Sequence, residues 1–254
     1  MTDIILFDLD GTLLPMGQDN FVKTYFGELV KKIAPLGYDK DEIVKAIWAG
    51  TDAMIANDGE VSNERCFWDK FVSLLGDRAW ELEPYLDDFY RNEFNNVSKL
   101  VPEGYSARSL IDLLKGKGYR LILATNPIFP LVGVESRLKW IGLNLDDFEL
   151  VTSYENCSTS KPNLDYYRDI LEKIDADPKR CLMVGNSIAE DMCTQSLGMS
   201  VYLVTGFVEN QGGGDISRFR SGTIADFEKL CRENGLQTYG NSSPQRFETS
   251  CFTV

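Results

Sequence analysis

Two aspartates, Asp8 and Asp10, stand with one residue between them in the segment ILFDLDGTLL, directly after an apolar run and before Gly11. In an extended chain, residues two apart face the same way, so both carboxylates can converge on one site. Carboxylates this close repel each other unless a cation joins them, and Mg²⁺ prefers such oxygen ligands. Asp-Gly after a strand is also a strong turn signal. This segment alone therefore leaves a plain turn and a chemical site equally open.

Three later apolar runs are also followed by polar residues of useful types. Thr125 and Asn126 follow LILA, and they offer a hydroxyl and backbone N–H groups to phosphoryl oxygens. Lys161, in the loop after FELVTS, is a compact positive charge just before a predicted helix. The segment GNSIAED then supplies Glu190 and Asp191. A strand cap, a surface charge or a helix first turn would explain each residue singly, but together they favour one site.

The runs that precede these residues are typical of parallel strands buried on both faces. They are near-continuous, without alternation, and rich in leucine and β-branched residues. The predicted strands are 3–8, 119–125, 148–153, 181–186 and 201–205. Amphipathic stretches of helical period lie between the later runs, so the pattern from about residue 101 onward predicts an α/β doubly wound, Rossmann-like parallel sheet. Such sheets bind ligands at the carboxyl ends of their strands, where these polar residues stand.

Residues 15–100 break this rhythm. They contain four stretches with apolar residues at helical spacing, many aromatic residues and no convincing strand. The aromatic residues indicate the core of a helical bundle. We therefore predict an α/β core formed by residues 1–14 and 101–235, with a helical insertion at 15–100. The remaining tail, 236–254, is polar and weakly patterned, and both disorder and docking on the domain fit it.

The composition excludes several classes of function. The chain has 254 residues, a formal net charge of −13 and no histidine. An acidic surface repels nucleic acid and anionic lipid, so neither is an expected partner, and histidine triads are impossible. The N-terminus lacks the basic region of a signal peptide, and no apolar run is long enough to span a bilayer. Six scattered cysteines, without zinc or redox spacing, indicate reduced thiols, and we predict a cytoplasmic protein.

Taken in order, the four motifs resemble those of the haloacid dehalogenase superfamily of phosphohydrolases. DLDGTLL is similar to the first motif, with Asp8 in the nucleophile position and Asp10 in the general acid/base position. Thr125 corresponds to the second motif, Lys161 to the third, and GNSIAED to the fourth. The insertion at 15–100 lies where subclass I of that superfamily keeps a helical cap. The resemblance covers the α/β core and implies the same fold.

The resemblance also implies a reaction, the hydrolysis of a small phosphorylated metabolite with Mg²⁺ as cofactor. Asp8 would attack phosphorus to form an aspartyl-phosphate, and Asp10 would protonate the leaving oxygen and then activate water. Mg²⁺ would be held by the Asp8 carboxylate, the Asp10 backbone carbonyl and the acidic fourth motif. Thr125, Asn126 and Lys161 would bind the phosphoryl group. Asp10 argues against the dehalogenase branch, which needs no acid to release halide.

The fourth motif departs from the family pattern at Asn186, where aspartate is usual. A carboxamide offers oxygen to a metal but carries no charge, so weaker metal binding is expected. Asp191 corresponds to the second acid of the motif and Glu190 is a further candidate ligand, so the metal-binding member is left open. Two alternatives to a phosphatase remain. One is a phosphomutase, and the other is a regulatory or metabolite-binding protein with weakened catalysis.

Overall fold

The computed structural model describes residues 2–233 and residue 236, so the predicted tail beyond residue 236 lies outside it. The strands are Ile4–Phe7 (β1), Arg120–Leu123 (β2), Leu150–Val151 (β3), Cys181–Gly185 (β4), Ser200–Val204 (β5) and Ser221–Gly222 (β6). The α-helices are Gln18–Ile33 (α1), Lys40–Ile55 (α2), Asn63–Leu75 (α3), Glu83–Arg91 (α4), Arg108–Gly116 (α5), Leu131–Trp140 (α6), Leu164–Lys173 (α7) and Ile224–Glu233 (α8). Short 3₁₀ segments are Ala34–Leu36, Asp77–Leu82, Glu93–Leu100, Leu145–Asp147, Pro178–Arg180, Met192–Leu197 and Ile216–Arg218.

The six strands form one sheet in the order β3-β2-β1-β4-β5-β6, and every pairing is parallel. At the centre, Phe7 of β1 is level with Leu123 of β2 on one side and with Val184 of β4 on the other. The chain runs outward from β1 through β2 to β3 and then returns to the other side of β1 to add β4. The strand order therefore reverses beside β1, which is where doubly wound sheets bind ligands. The predicted fold class is confirmed.

Both edge strands differ from the sequence predictions. The stretch 148–153 forms a strand only at Leu150 and Val151. Just past Val151, the Thr152 backbone amide donates to the Leu123 carbonyl at 3.0 Å, and the Thr152 hydroxyl donates to the Thr125 carbonyl at 2.7 Å. On the opposite edge, β6 is a two-residue strand that was not predicted, because Ser221 and Gly222 carry no apolar run.

Alternate side chains of β1 point to opposite faces of the sheet, and all four are fully buried. Ile5 and Phe7 belong to the larger apolar cluster, which also includes side chains of α5 and of the helices between β1 and α5. Ile4 and Leu6 belong to a second cluster on the other face, against Tyr166 of α7. This two-sided burial explains why the strands read as continuous apolar runs.

Helices α1 to α4 and the 3₁₀ segments between them fill most of residues 18–100, and none of these residues lies in a strand. Phe71, Phe89 and Phe94 are fully buried, as the bundle interpretation predicted. Trp80 and Tyr85 are 42% and 43% exposed, so the interpretation of the aromatic residues as bundle core is wrong for these two. Trp80 lies in the 3₁₀ segment Asp77–Leu82 and Tyr85 lies in α4, and both side chains are exposed to solvent. The division of the chain into a core and a cap stays a prediction.

Two further features of the described part of the chain concern its cysteines and the lengths of its helices. Its five cysteines are free thiols, three of them buried. None of its helices has both the length and the apolar character needed to cross a bilayer.

Candidate active site

The segment after β1 is both a turn and a place where side chains converge. The Asp8 amide donates to the Val184 carbonyl at 2.9 Å, so the aspartate extends the ladder just past the strand end. Gly11 then turns the chain with φ of +79°, a conformation that favours glycine. A Cβ at Gly11 would also lie 2.3 Å from the side-chain nitrogen of Asn186. The glycine therefore permits the turn and the close approach of β1 and β4 loops.

Lys161 joins two of the predicted acids. Its Nζ lies 2.9 Å from Asp8 Oδ1 and 2.6 Å from Asp191 Oδ1, and its side chain is fully buried. Burial alone would lower the pKa of Lys161, but the Asp191 and Asp8 carboxylates raise that pKa well above its usual range. The lysine is therefore charged, and it holds the loops after β1 and β4 together.

Asp191 is fixed from several directions. Its Oδ2 accepts a hydrogen bond from the Ser187 amide at 3.0 Å, and its carboxylate lies directly on Gly185, where a Cβ would come within 2.2 Å of it. The adjacent Tyr167 hydroxyl donates to the Glu190 carbonyl at 2.7 Å. Burial raises the pKa of Asp191 to about 6 in spite of Lys161. This acid is therefore oriented by the backbone before any ligand binds.

Asp10 is paired with a residue that the sequence interpretation did not include. The Arg137 guanidinium on α6 hydrogen-bonds to Asp10 Oδ2. Arg137 is fully buried and lies over the Phe129 ring, with its Cζ 4.3 Å from the ring centroid. Burial raises the pKa of Asp10, while the Arg137 charge opposes that rise. A signal was present, because Arg137 is spaced as part of the apolar stripe that includes Val134 and Leu138.

Thr125 and Asn126 are brought to the same site by the end of β2. Thr125 is buried, and its carbonyl accepts hydrogen bonds from the hydroxyls of Thr152 and Tyr166, at 2.7 and 2.8 Å. Asn126 lies near Glu190, with its amide nitrogen 3.4 Å from the nearer carboxylate oxygen. The Asn126 side-chain oxygen is buried and has no hydrogen-bond partner.

The Asn186 carboxamide is engaged at both ends. Its oxygen accepts from the Thr12 hydroxyl at 3.1 Å, and its nitrogen donates to the Phe207 carbonyl at 2.7 Å. An aspartate could not make the second bond, because a carboxylate has no hydrogen to donate. The amide is therefore suited to joining the loops after β1, β4 and β5.

Glu209, on the loop after β5, is a second residue that the sequence interpretation missed. Its backbone pairs with the fourth-motif loop, through Glu209 N to the Asn186 carbonyl (2.9 Å) and Ile188 N to the Glu209 carbonyl (3.0 Å). Burial raises the pKa of Glu209, and the negative charges of Asp8 and Asp191 raise it further. Burial likewise raises the pKa of Glu190 to about 7. No motif marks Glu209, since only the fold brings its loop to the site.

The oxygen atoms of these side chains suit a divalent metal ion such as Mg²⁺. Within residues 2–233 and 236, no three acidic side chains are already close enough together to enclose an ion. Mg²⁺ does not need such a cage, because it is usually bound by one or two carboxylates and retains several waters. Asp10 Oδ1 is buried without a partner, and neighbouring acids raise one another's pKa, so the site has excess negative charge. A hard divalent cation fits this donor set.

A cavity of about 770 Å³ lies above these residues. Asp8, Asp10, Thr125 and Asp191 line it on the sheet side. The helices α1 to α4 line most of its other walls, mostly with aromatic and aliphatic side chains, and the start of α6 with the loop before it contributes as well. The cavity therefore extends from the acids at the edge of the sheet to the side chains of α1 to α4.

The chain is similar to a known family in sequence and in fold. The sequence model described as haloacid dehalogenase-like hydrolase matches residues 5–204. A phosphoglycolate phosphatase of Aquifex aeolicus is 26% identical over 191 residues, covering 74% of this chain and 77% of the relative. A glyceraldehyde 3-phosphate phosphatase of Methanothermobacter thermautotrophicus is 32% identical over 150 residues, covering 57% and 64%. The crystal structure of a HAD phosphatase from Thermococcus onnurineus superposes with a TM-score of 0.55, at 22% identity, over 91% of this chain and 97% of that one. The chain belongs to the haloacid dehalogenase-like hydrolase family.

Proposed function

We propose that this protein is a Mg²⁺-dependent phosphatase that hydrolyses a phosphate monoester through an aspartyl-phosphate on Asp8. The observation that carries the proposal is the placement of Asp8 and Asp10 at the carboxyl end of the central strand, with Lys161 joining Asp8 to Asp191. Relatives that are 26% and 32% identical to the chain over the aligned residues are named phosphatases.

In the first step, a carboxylate oxygen of Asp8 attacks phosphorus, and the bond between phosphorus and the ester oxygen breaks. Asp10 gives its proton to that oxygen, so the product leaves as a neutral alcohol. In the second step, Asp10 removes a proton from a water molecule, which attacks the phosphorus of the aspartyl-phosphate. Inorganic phosphate is released, and Asp8 is restored.

The residues around Asp8 offset the charge that the phosphoryl group brings. Lys161 donates to its oxygens from a fully buried position, while the Thr125 hydroxyl and the backbone N–H groups near Asn126 provide neutral donors. The Asp8 carboxylate, the Asp10 backbone carbonyl and Asp191 would hold Mg²⁺, with Glu190 and Asn186 as further candidates. When bound, the metal supplies positive charge to the phosphoryl oxygens.

We further propose that residues 15–100 act as a cap over the site. Their helices supply most of the cavity wall opposite the acids. Closure of such a cap excludes water from the aspartyl-phosphate until product has left.

Phosphate release from a panel of phosphorylated metabolites tests this proposal, with wild type and Asp8→Asn each assayed with Mg²⁺ and with EDTA. We expect turnover by wild type with Mg²⁺ alone, and ³²P retained on wild type but absent from Asp8→Asn after acid quench. Equal rates for the two proteins on every substrate would refute the proposal and favour a binding protein. Transfer of phosphate within one sugar phosphate, without net release, would favour a phosphomutase.

A further inference from the structure

The wall that faces the catalytic acids is rich in aromatic side chains. Phe21, Tyr25, Trp48, Phe67, Trp68 and Phe129 all line the cavity. Trp48 is 45% exposed although its ring packs on Phe26 with centroids 5.4 Å apart. Exposed aromatic area in a concave site gains free energy when a ligand covers it. The wall is thus built to receive an apolar group.

The cavity wall beyond the catalytic acids carries net negative charge, which disfavours a second anionic group on a substrate. Among the residues that line it in the described chain, Arg91 is the one lysine or arginine. Its guanidinium is already bound to Asp87 on the same helix, at 2.8 and 3.1 Å. Glu64, Glu83 and Glu155 lie along the same wall. Burial raises the pKa of Glu64, and the nearby negative charge of Glu155 raises it further.

Charge and shape therefore select against small substrates that carry a second anionic group besides the phosphoryl group. A substrate carboxylate or second phosphate would leave water for a wall of rings and glutamates, and such unpaired burial is costly. The cavity volume of about 770 Å³ also lies within the range of roughly 300–1,000 Å³ that holds drug-sized ligands. Phosphoglycolate and pyrophosphate, which name the activities of several relatives, match neither property.

We propose that the substrate is a phosphate monoester whose alcohol part is a large apolar or aromatic group without further negative charge. This inference rests on the proposed phosphatase function and assigns its substrate class. The phosphoryl group lies at Asp8, and the organic group fills the aromatic end of the cavity beside Trp48.

Three esters with alkyl leaving groups test the inference, because the intrinsic reactivity of their P–O bonds is similar. They are 2-phenylethyl phosphate, ethyl phosphate and phosphoglycolate, each assayed with wild type and Mg²⁺. We expect kcat/KM for 2-phenylethyl phosphate to exceed the other two values by roughly tenfold or more, because a phenyl ring leaves water for the aromatic wall. A value for phosphoglycolate equal to or above that for 2-phenylethyl phosphate would overturn the inference and leave the phosphatase function standing.

A matched pair of variants on α2 locates the effect. Trp48→Ala should lower kcat/KM for 2-phenylethyl phosphate by roughly fivefold or more, mainly through KM, and leave ethyl phosphate nearly unchanged. Ile55→Ala, which removes a 46% exposed apolar side chain of the same helix outside the cavity, should change neither value. Unchanged turnover of 2-phenylethyl phosphate by Trp48→Ala would overturn the assignment of the organic group to this wall.

Binding measurements test the proposed substrate class independently of the proposed reaction. Calorimetry of Asp8→Asn with Mg²⁺ measures the affinity for the same three esters without turnover. Binding of 2-phenylethyl phosphate roughly tenfold tighter than phosphoglycolate supports the inference even if wild type releases no phosphate, a result that would refute the proposed function alone. Equal or weaker binding of 2-phenylethyl phosphate overturns the inference.

Discussion

The buried guanidinium of Arg137 on α6 is hydrogen-bonded to the carboxylate of Asp10 in the loop after β1. The two residues are 127 positions apart in the chain. Phe129 supports the guanidinium from one face, and the Gly133 carbonyl accepts from its Nε at 3.3 Å. The proposed general acid is therefore oriented by a helix that carries none of the residues predicted from the motifs.

Arg137→Met should reduce kcat by roughly 10- to 100-fold with little change in KM, because Asp10 loses the partner that orients it for proton transfer. The variant should also lose about 2 kcal/mol of free energy of unfolding, from the lost hydrogen bond and the lost contact with Phe129. Steady-state kinetics and urea unfolding measure the two effects.

Arg137→Lys keeps the charge within reach of Asp10 and should recover part of kcat. Arg168→Met provides the matched control, since the Arg168–Asp165 pair is 57% and 60% exposed and an exposed pair contributes no more than about 1 kcal/mol. A full kcat in Arg137→Met would show that Asp10 needs no positioning from α6.

Lys161→Met should destabilise the protein by about 3 kcal/mol, because it leaves the buried Asp8 and Asp191 carboxylates without their shared cation. Thermal and urea unfolding measure this loss. Phosphate release should fall below detection, since the phosphoryl group loses the same charge.

Lys179→Met removes an exposed lysine from the opposite end of β4 and should leave both stability and turnover unchanged. Wild-type stability in Lys161→Met would contradict the interpretation that this lysine balances two buried acids.

Asn186→Asp should lower the stability of the metal-free protein and raise its affinity for Mg²⁺. The Asn186 amide donates to the Phe207 carbonyl at 2.7 Å, and a carboxylate there faces that oxygen without a hydrogen between them. We expect a loss of about 1–2 kcal/mol without metal. Added Mg²⁺ should then raise the melting temperature of the variant more than that of wild type, because the new charge lines the same cavity as Asp8.

Asn156→Asp is the matched control, since the Asn156 amide also donates to a backbone carbonyl, that of Val151 at 2.8 Å, but lies outside the cavity. It should lose stability without gaining a response to Mg²⁺. An equal Mg²⁺ response in wild type and Asn186→Asp would show that position 186 does not contact the metal.

The sheet and the four strand-end motifs were predictable because each is a local pattern. Continuous apolar runs mark strands buried on both faces, and a residue placed just past such a run lies at the carboxyl edge wherever the strand sits in the sheet. The position of Asp8, Thr125 and Asp191 at this edge could therefore be predicted without knowing the strand order. The structure adds the direct contacts of Lys161 with Asp8 and Asp191.

Arg137 and Glu209 were not predictable in the same way. Arg137 sits in a helix, and its role depends on which face of α6 meets the loop after β1. Glu209 comes from a loop that lies beside the fourth motif because β5 pairs with β4. The sequence predicts Asn186 as a weak metal ligand, and its bonds to Thr12 and Phe207 add a structural use for the side-chain amide that no spacing reveals.

Away from the site, Asp147 provides a test of stability against pH. It is 8% exposed and accepts hydrogen bonds from Arg108 Nη1 at 2.8 Å and from the backbone N–H of Asn144 at 2.8 Å. Hydrogen bonding from Arg108 is the largest cause that lowers the pKa of Asp147 to about 2. A carboxyl whose folded pKa is depressed stabilises the fold above its unfolded pKa, and that contribution is lost as the pH falls through the folded pKa.

Asp147→Asn should therefore be about 2 kcal/mol less stable than wild type at pH 6, the equivalent of a pKa lowered from the ordinary 3.8 to about 2. The difference should shrink below about pH 4, where the unfolded carboxyl begins to take up its proton, and approach zero near pH 2. Urea unfolding of both proteins between pH 6 and pH 3 measures this convergence. A constant difference across that range would mean that Asp147 acts through packing rather than through its charge, because only the charge depends on pH.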